Sequence, residues 1–126
     1  MVDDTEVLRY AYAAFNGRDV DAALATFHPD VDWPNGMEGG RVVGHDAVRA
    51  YWTRQWTLID PHVEPLSFTP VDGGRIAVDV RQVVRDRAGG LLADQRVQHI
   101  YRVEDGKVRS MEIVDPSPDP SPTGGG

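Results

Sequence analysis

The sequence predicts an α+β fold in which three N-terminal helices pack into a strongly curved antiparallel sheet. Three observations predict it. Apolar residues recur at helical spacing in the first half of the chain. The second half reads as strands separated by three tight turns, Asp72-Gly73-Gly74, Ala88-Gly89-Gly90 and Glu104-Asp105-Gly106. Finally, helices come first and one meander comes last, an order that lets a sheet wrap around helices and leave a hole between them.

Each element follows from its residues. Asp3 with Glu6 three positions on reads as a capping box, and Leu8, Ala11, Tyr12 and Phe15 then share a helical face. Asn16-Gly17 supplies the stop, because both residues tolerate the left-handed conformation. Asp19 caps a second helix with Val20, Ala23, Leu24 and Phe27 on one side, ended by His28-Pro29. Between Val31 and Val43 the pattern alternates around Pro34, Gly36 and the turn Glu38-Gly39-Gly40, as in a short hairpin. Gly44-His45-Asp46 opens the third helix, with Val48, Tyr51, Trp52 and Trp56 as its apolar stripe and Asp60-Pro61 as its end. The stretch from His62 to Pro70 is broken by Pro65, which suits an edge strand or a bulge. Strands then run from Arg75 to Arg85, Leu91 to Val103 and Lys107 to Asp115. Residues 1–115 make one domain, and the tail 116–126, PSPDPSPTGGG, has no hydrophobic anchor and is expected to be disordered.

Composition bounds the function. Forty per cent of the 126 residues are hydrophobic and 26% charged, as in an ordinary soluble domain. With no cysteine, disulfides and thiolate chemistry are excluded. The formal net charge of −7 argues against nucleic acid, which asks for a basic face. The acidic start MVDDTEVLRY does not look like a secretory signal, and no apolar run approaches the roughly 20 residues of a membrane span, so a cytoplasmic protein is expected. His28, His45, His62 and His99 have no metal-binding spacing, and there is no glycine-rich phosphate loop, so neither metal nor cofactor is expected.

The segments GRDVDAALATFHPDV and GHDAVRAYW, set in this order of elements, resemble the nuclear transport factor two-like superfamily, which includes ketosteroid isomerases and small polyketide cyclases. The resemblance covers about residues 4 to 115. It implies a cone-shaped roll with an apolar interior pocket, and a homodimer formed through the outer face of the sheet. Laid on the isomerase pattern, Ala11 to Trp52 matches without a gap. The general-base aspartate then falls on Asn35, the oxyanion-hole tyrosine on Ala11 and the protonated oxyanion-hole aspartate on His99. All three have changed, so the resemblance does not imply steroid double-bond isomerisation.

Alternation along the strands fills in the pocket. If His99 faces inward, so do Gln95, Val97 and Tyr101, while Arg96, Gln98, Ile100 and Arg102 face out. The expected wall is Phe27, Trp33, Tyr51, Trp52, Val78, Val97 and Met111, with Asn35, His99, Tyr101, Gln95, Tyr12 and Asp115 as polar groups. His99 is the candidate acid or base, because its side chain titrates near working pH. Asn35 and Tyr101 are candidates to steady a developing oxyanion, and Asp115 to orient the imidazole. Pro34-Asn35-Gly36 is equally a natural turn, and buried tyrosines usually bond to protein.

Three functions remain open on these residues. One is an enzyme moving protons on a small, apolar, carbonyl-bearing substrate, as an isomerase or polyketide cyclase. The second is a non-catalytic binder of such a molecule. The third is a homodimeric interaction module using the face of Arg96, Gln98, Ile100 and Arg102. The superfamily's epoxide hydrolases use an Asp-Arg-Asp set, for which Asp79, Arg81 and Asp94 are the right residue types. The alternation points Asp79 and Arg81 away from the pocket, and a one-residue slip in register would reverse that.

Overall fold

The structure, a computed structural model, describes residues 4–35 and 39–114. Asp3, Asp115, the Gly36–Glu38 part of the hairpin turn and the tail expected to be disordered lie outside the described residues.

Helix α1 spans Asp4–Asn16 and buries Leu8, Ala11 and Tyr12, the expected face, together with Ala14. The left-handed residue that ends it is Arg18, at φ 63, rather than Asn16 or Gly17. Gly17 N–H bonds to Ala13 O at 2.9 Å and Asp19 N–H to Ala14 O at 2.8 Å, so the helix unwinds through a hydrogen-bonded corner. Asp19 caps α2, Val20–Leu24, its carboxylate accepting from Ala22 N–H at 3.1 Å. That helix is shorter than its sequence pattern, because Phe27 leaves it to open strand β1, Phe27–Pro34. His28-Pro29 therefore lies inside a strand, where His28 Nδ1 accepts from Asp30 N–H at 3.0 Å.

Strand β1 folds back onto β2, Arg41–Val43, as the expected hairpin. Gly44 caps α3, His45–Leu58, at φ 93. The helix buries Val48, Tyr51 and Trp52 and leaves Trp56 half-buried against the core. Its end comes before Asp60-Pro61, which belong to strand β3, Ile59–Val71. As its prolines suggest, β3 lies at the sheet edge and its register shifts between Pro65 and Ser67. Strands β4, Arg75–Asp86, β5, Leu91–Glu104, and β6, Lys107–Val114, complete the meander.

The six strands form one open, curved sheet in the order β2-β1-β6-β5-β4-β3. It is mixed rather than wholly antiparallel, because β1 runs parallel to β6, pairing Phe27 with Val108 and Asp32 with Ser110. Only neighbouring segments joined by tight turns are forced to be antiparallel, and β1 meets β6 from the far end of the chain. The helices cover the concave face, and Leu8, Leu24, Phe27, Val31, Val48, Trp52, Val78, Val80, Val108 and Met111 fill the space between. Among the described residues no helix is long and apolar enough to cross a membrane.

Two polar devices fasten the helical layer to the edge strand. The Asn16 amide imitates another strand: Nδ2 donates to Val63 O at 2.7 Å, and Val63 N–H donates to Oδ1 at 3.0 Å. Arg18 donates to Asp60 and, at 2.9 Å, to Pro61 O, while its guanidinium lies over the rings of Trp56 and Phe15.

Candidate functional site

A cavity of about 200 Å³ opens between the sheet and α1 and α3. Six sequence-derived wall or polar positions meet in it directly: Tyr12, Phe27, Trp33, Tyr51, Trp52 and Met111, joined by the candidate catalytic pair His99 and Tyr101. The aromatic rings pack edge-on or tilted, with Trp33 and Trp52 centroids 5.6 Å apart and Phe27 and Trp33 4.9 Å apart. Such contacts hold a rigid wall, since each ring is fixed by the next.

The polar end of the cavity is built from α1 and β5. Alternation along β5 buries Val97, His99 and Tyr101 and exposes Arg96 and Arg102. His99 faces Val78 on β4 and Ile113 on β6, in the middle of the sheet, so no strand end gives it access to bulk water. It is 6% exposed. Tyr12, one α-helical turn below Leu8, reaches across so that its hydroxyl lies 2.7 Å from His99 Nδ1. The two rings stack nearly parallel, 9° apart, and Tyr101 stands edge-on to both.

Burial sets the charge state of this group. It pushes the His99 imidazolium down to about 4, so the ring is neutral at pH 7. Burial also raises the Tyr12 phenol well above its ordinary value, with the neighbouring Tyr101 adding to it, and raises that of Tyr101 as well. The three side chains therefore present an uncharged donor–acceptor set. None of the described residues lining the cavity carries a charged side chain. A neutral imidazole has one N–H, so the tautomer follows the hydrogen bond to Tyr12. If Nδ1 donates to Tyr12 Oη, Nε2 is a bare base, and if Tyr12 donates to Nδ1, Nε2–H is a donor.

Several sequence-derived positions do not join the site. Gln95 shares a face with Val97 and His99 but is exposed, two residues before the first buried position of β5. Val78 and Val97 are buried in the packed core, and their short side chains do not reach the cavity wall. Asn35 is buried as a turn residue: its N–H donates to Gly40 O at 3.0 Å and its carbonyl accepts from Gly39 N–H at 2.9 Å, while Pro34 takes the place on the wall. Asp115 lies outside the described residues. Asp79, Arg81 and Asp94 are on the outer side of the sheet, as the register of β4 with β5 dictates. There Arg81 holds Asp94 through two hydrogen bonds of 3.1 and 2.7 Å, and Asp79 accepts from Ser67 and Gln98. The epoxide hydrolase arrangement is thus absent from the cavity. His45 donates from Nε2 to Phe27 O at 2.9 Å, a structural bond at the start of α3. No group of three or more metal-ligating side chains occurs among the described residues.

Sequence reasoning missed Phe15, Gln55, Ile59, Val63, Gln82 and Ile113 on the wall. Gln82 was findable, since it extends the inward series Ile76, Val78, Val80 by one more alternate position. Gln55 follows Tyr51 by four residues on the same face of α3 and donates to its hydroxyl at 3.4 Å.

Comparison with known proteins bears on the same region. The family model described as SnoaL-like domain matches residues 8–111. No curated protein matches the chain. Among solved structures, TerC co-crystallised with polyporic acid is 28% identical, with a TM-score of 0.78 over 89% of this chain and 90% of that one. A nuclear transport factor two-like protein of unknown function from Burkholderia pseudomallei is 32% identical, with a TM-score of 0.77 over 90% of each chain. A candidate polyketide cyclase from Sinorhizobium meliloti, at 23% identity and a TM-score of 0.73 over 89% of this chain and 99% of that one, shares the fold.

Proposed function

The chain belongs to the SnoaL-like domain family, and we propose that it uses its cavity to bind a small, largely apolar, carbonyl-bearing molecule and to move a proton on it without a cofactor. The observation that carries this reading is the 2.7 Å contact of Tyr12 with His99 at the buried end of the cavity. An ionisable ring held in a fixed orientation inside an apolar space is the arrangement that acid–base catalysis needs.

The step is an enolisation. With Nδ1–H donating to Tyr12 Oη, Nε2 takes the proton from the carbon next to the carbonyl. The C–H electron pair moves into the new C=C bond, and the carbonyl oxygen becomes an enolate. Tyr101, whose phenol stays protonated, donates to that oxygen. A buried imidazole resists charging in the empty cavity, but the enolate supplies the opposite charge as the proton arrives. Return of the proton to another carbon is an isomerisation. Attack of the enolate carbon on a second carbonyl of the same chain is an aldol-type cyclisation.

The test is deuterium exchange into 2-tetralone in D2O, followed by NMR. The wild type should accelerate exchange next to the carbonyl, and His99→Leu should abolish the acceleration while 2-tetralone still quenches tryptophan fluorescence. Binding without accelerated exchange would replace catalysis by a purely binding role, a reading favoured by the lack of a carboxylate among the described residues of the wall. A homodimer through the outer sheet face is the proposed assembly, supported by Ile100 lying opposite Ala77 on that side of the sheet. Ile100→Glu should lower the sedimentation coefficient to that of a monomer, and an unchanged monomer in the wild type would refute it.

A further inference from the structure

We propose that the cavity reads its ligand at two ends, with Gln82 as the second recognition point, so that the fitting molecule is an uncharged, elongated aromatic compound with a hydrogen-bonding oxygen at each end. This inference rests on the binding reading above and adds the shape and polarity of the ligand.

The two ends are set by the register of the sheet. His99 pairs with Val78 on β4, and Gln82 lies four residues further along that strand. At the rise of a β-strand, four residues span about 13 Å. Gln82 pairs on its other side with Val63 of β3, which also lines the cavity, so the far end is walled by β3 and β4. The cavity therefore runs lengthwise along the strands from the Tyr12–His99–Tyr101 group to Gln82. Besides these ends its lining is aromatic and aliphatic apart from Gln55, whose amide donates to the Tyr51 hydroxyl at 3.4 Å.

Gln82 is a half-buried amide beside Val63 on the wall, and among the described residues its side chain has no hydrogen bond. An amide offers two donors and an acceptor, and leaving them facing an apolar ligand costs free energy. A ligand oxygen at that end satisfies them. Size points the same way. A dry cavity of about 150 Å³ takes benzene, so one of about 200 Å³ suits an extended molecule of two linked rings better than a bulky fused system. Among the described residues no charged side chain lines the wall, so nothing there compensates an anion or a cation, least of all at the buried His99 end.

Three matched rods test the proposal by tryptophan quenching and calorimetry: biphenyl, biphenyl-4-ol and 4,4′-biphenyldiol. On the wild type the mono-ol should bind more tightly than biphenyl, and the diol more tightly again by about three- to tenfold, the worth of one hydrogen bond. Gln82→Met keeps the length of the side chain and removes its polarity. It should reduce the diol to the affinity of the mono-ol and leave the mono-ol unchanged. Gln82→Leu should do the same, and thermal unfolding checks that both variants fold. If the rods bind but the diol gains nothing, or the variants weaken all three equally, two-ended recognition is wrong and the binding reading stands. If none of the rods binds the folded wild type, both are wrong.

Discussion

The Tyr12 hydroxyl and His99 Nδ1 are joined at 2.7 Å, although one belongs to the first helix and the other to the fifth strand. Everything chemical in the cavity is organised around that contact, because it fixes which imidazole nitrogen is committed to the protein and which remains available.

Removing the contact should therefore alter the ring electronically as well as mechanically. In Tyr12→Phe, His99 Nδ1 is left buried without this partner, at a cost of about 1–2 kcal/mol in stability. The 15N chemical shifts of the His99 ring should move with it, as the tautomer is no longer held. Identical shifts in the variant and the wild type would mean that Tyr12 does not set the tautomer.

Acid should destabilise the protein through His99. Its folded value of about 4 lies below the ordinary 6.5, so between those values the unfolded chain binds a proton that the folded one refuses. The associated stability is complete above pH 6.5 and is lost as the pH falls toward 4, to a total of about 3 kcal/mol. Denaturant melts from pH 7 to pH 4 measure it. In His99→Leu the slope across this window should flatten, and an equal slope in both proteins would exonerate the ring.

The Asn16 amide occupies one backbone donor and one acceptor of Val63, on the free side of the edge strand. Asn16→Leu should cost about 1–3 kcal/mol and speed amide exchange at Val63. Unchanged exchange there would show the edge to be held by other contacts.

Gly44 adopts φ 93 where β2 turns into α3, and its N–H donates to Val31 O at 2.8 Å. A Cβ would meet nothing closer than Pro29 O at 3.6 Å, so the penalty of Gly44→Ala is conformational, about 1–2 kcal/mol. Chemical denaturation measures it, and a neutral result would mean that the cap relaxes.

On the outer side of the sheet, Asp94→Asn should weaken the pair with Arg81 and leave binding of 2-tetralone and deuterium exchange into it at wild-type values. Loss of either would return chemistry to the Asp79, Arg81 and Asp94 set.

Most of the architecture was legible because its signals are local. The β4–β5–β6 meander follows from three glycine-bearing turns, and the inward series of β5 from strict alternation. What local signals cannot carry is depth. Gln95 and His99 share a face, yet one is exposed and the other buried, because cover depends on which part of the strand the helices overlie. Asn35 fitted both a site and a turn, and the backbone bonds to Gly39 and Gly40 show the turn. Phe27 fitted a helical face and is a strand residue, since the same side chain reaches the core from either backbone. The parallel partner of β1 has no signature in β1 itself.

That parallel pairing has a consequence for biosynthesis. Phe27 leaves the ribosome well before its sheet neighbour, Val108. Until then the nascent helices have no complete wall to rest on, and their aromatic residues stay uncovered. The sheet therefore closes only once β6 is made, and the aromatic wall waits on that strand for its cover.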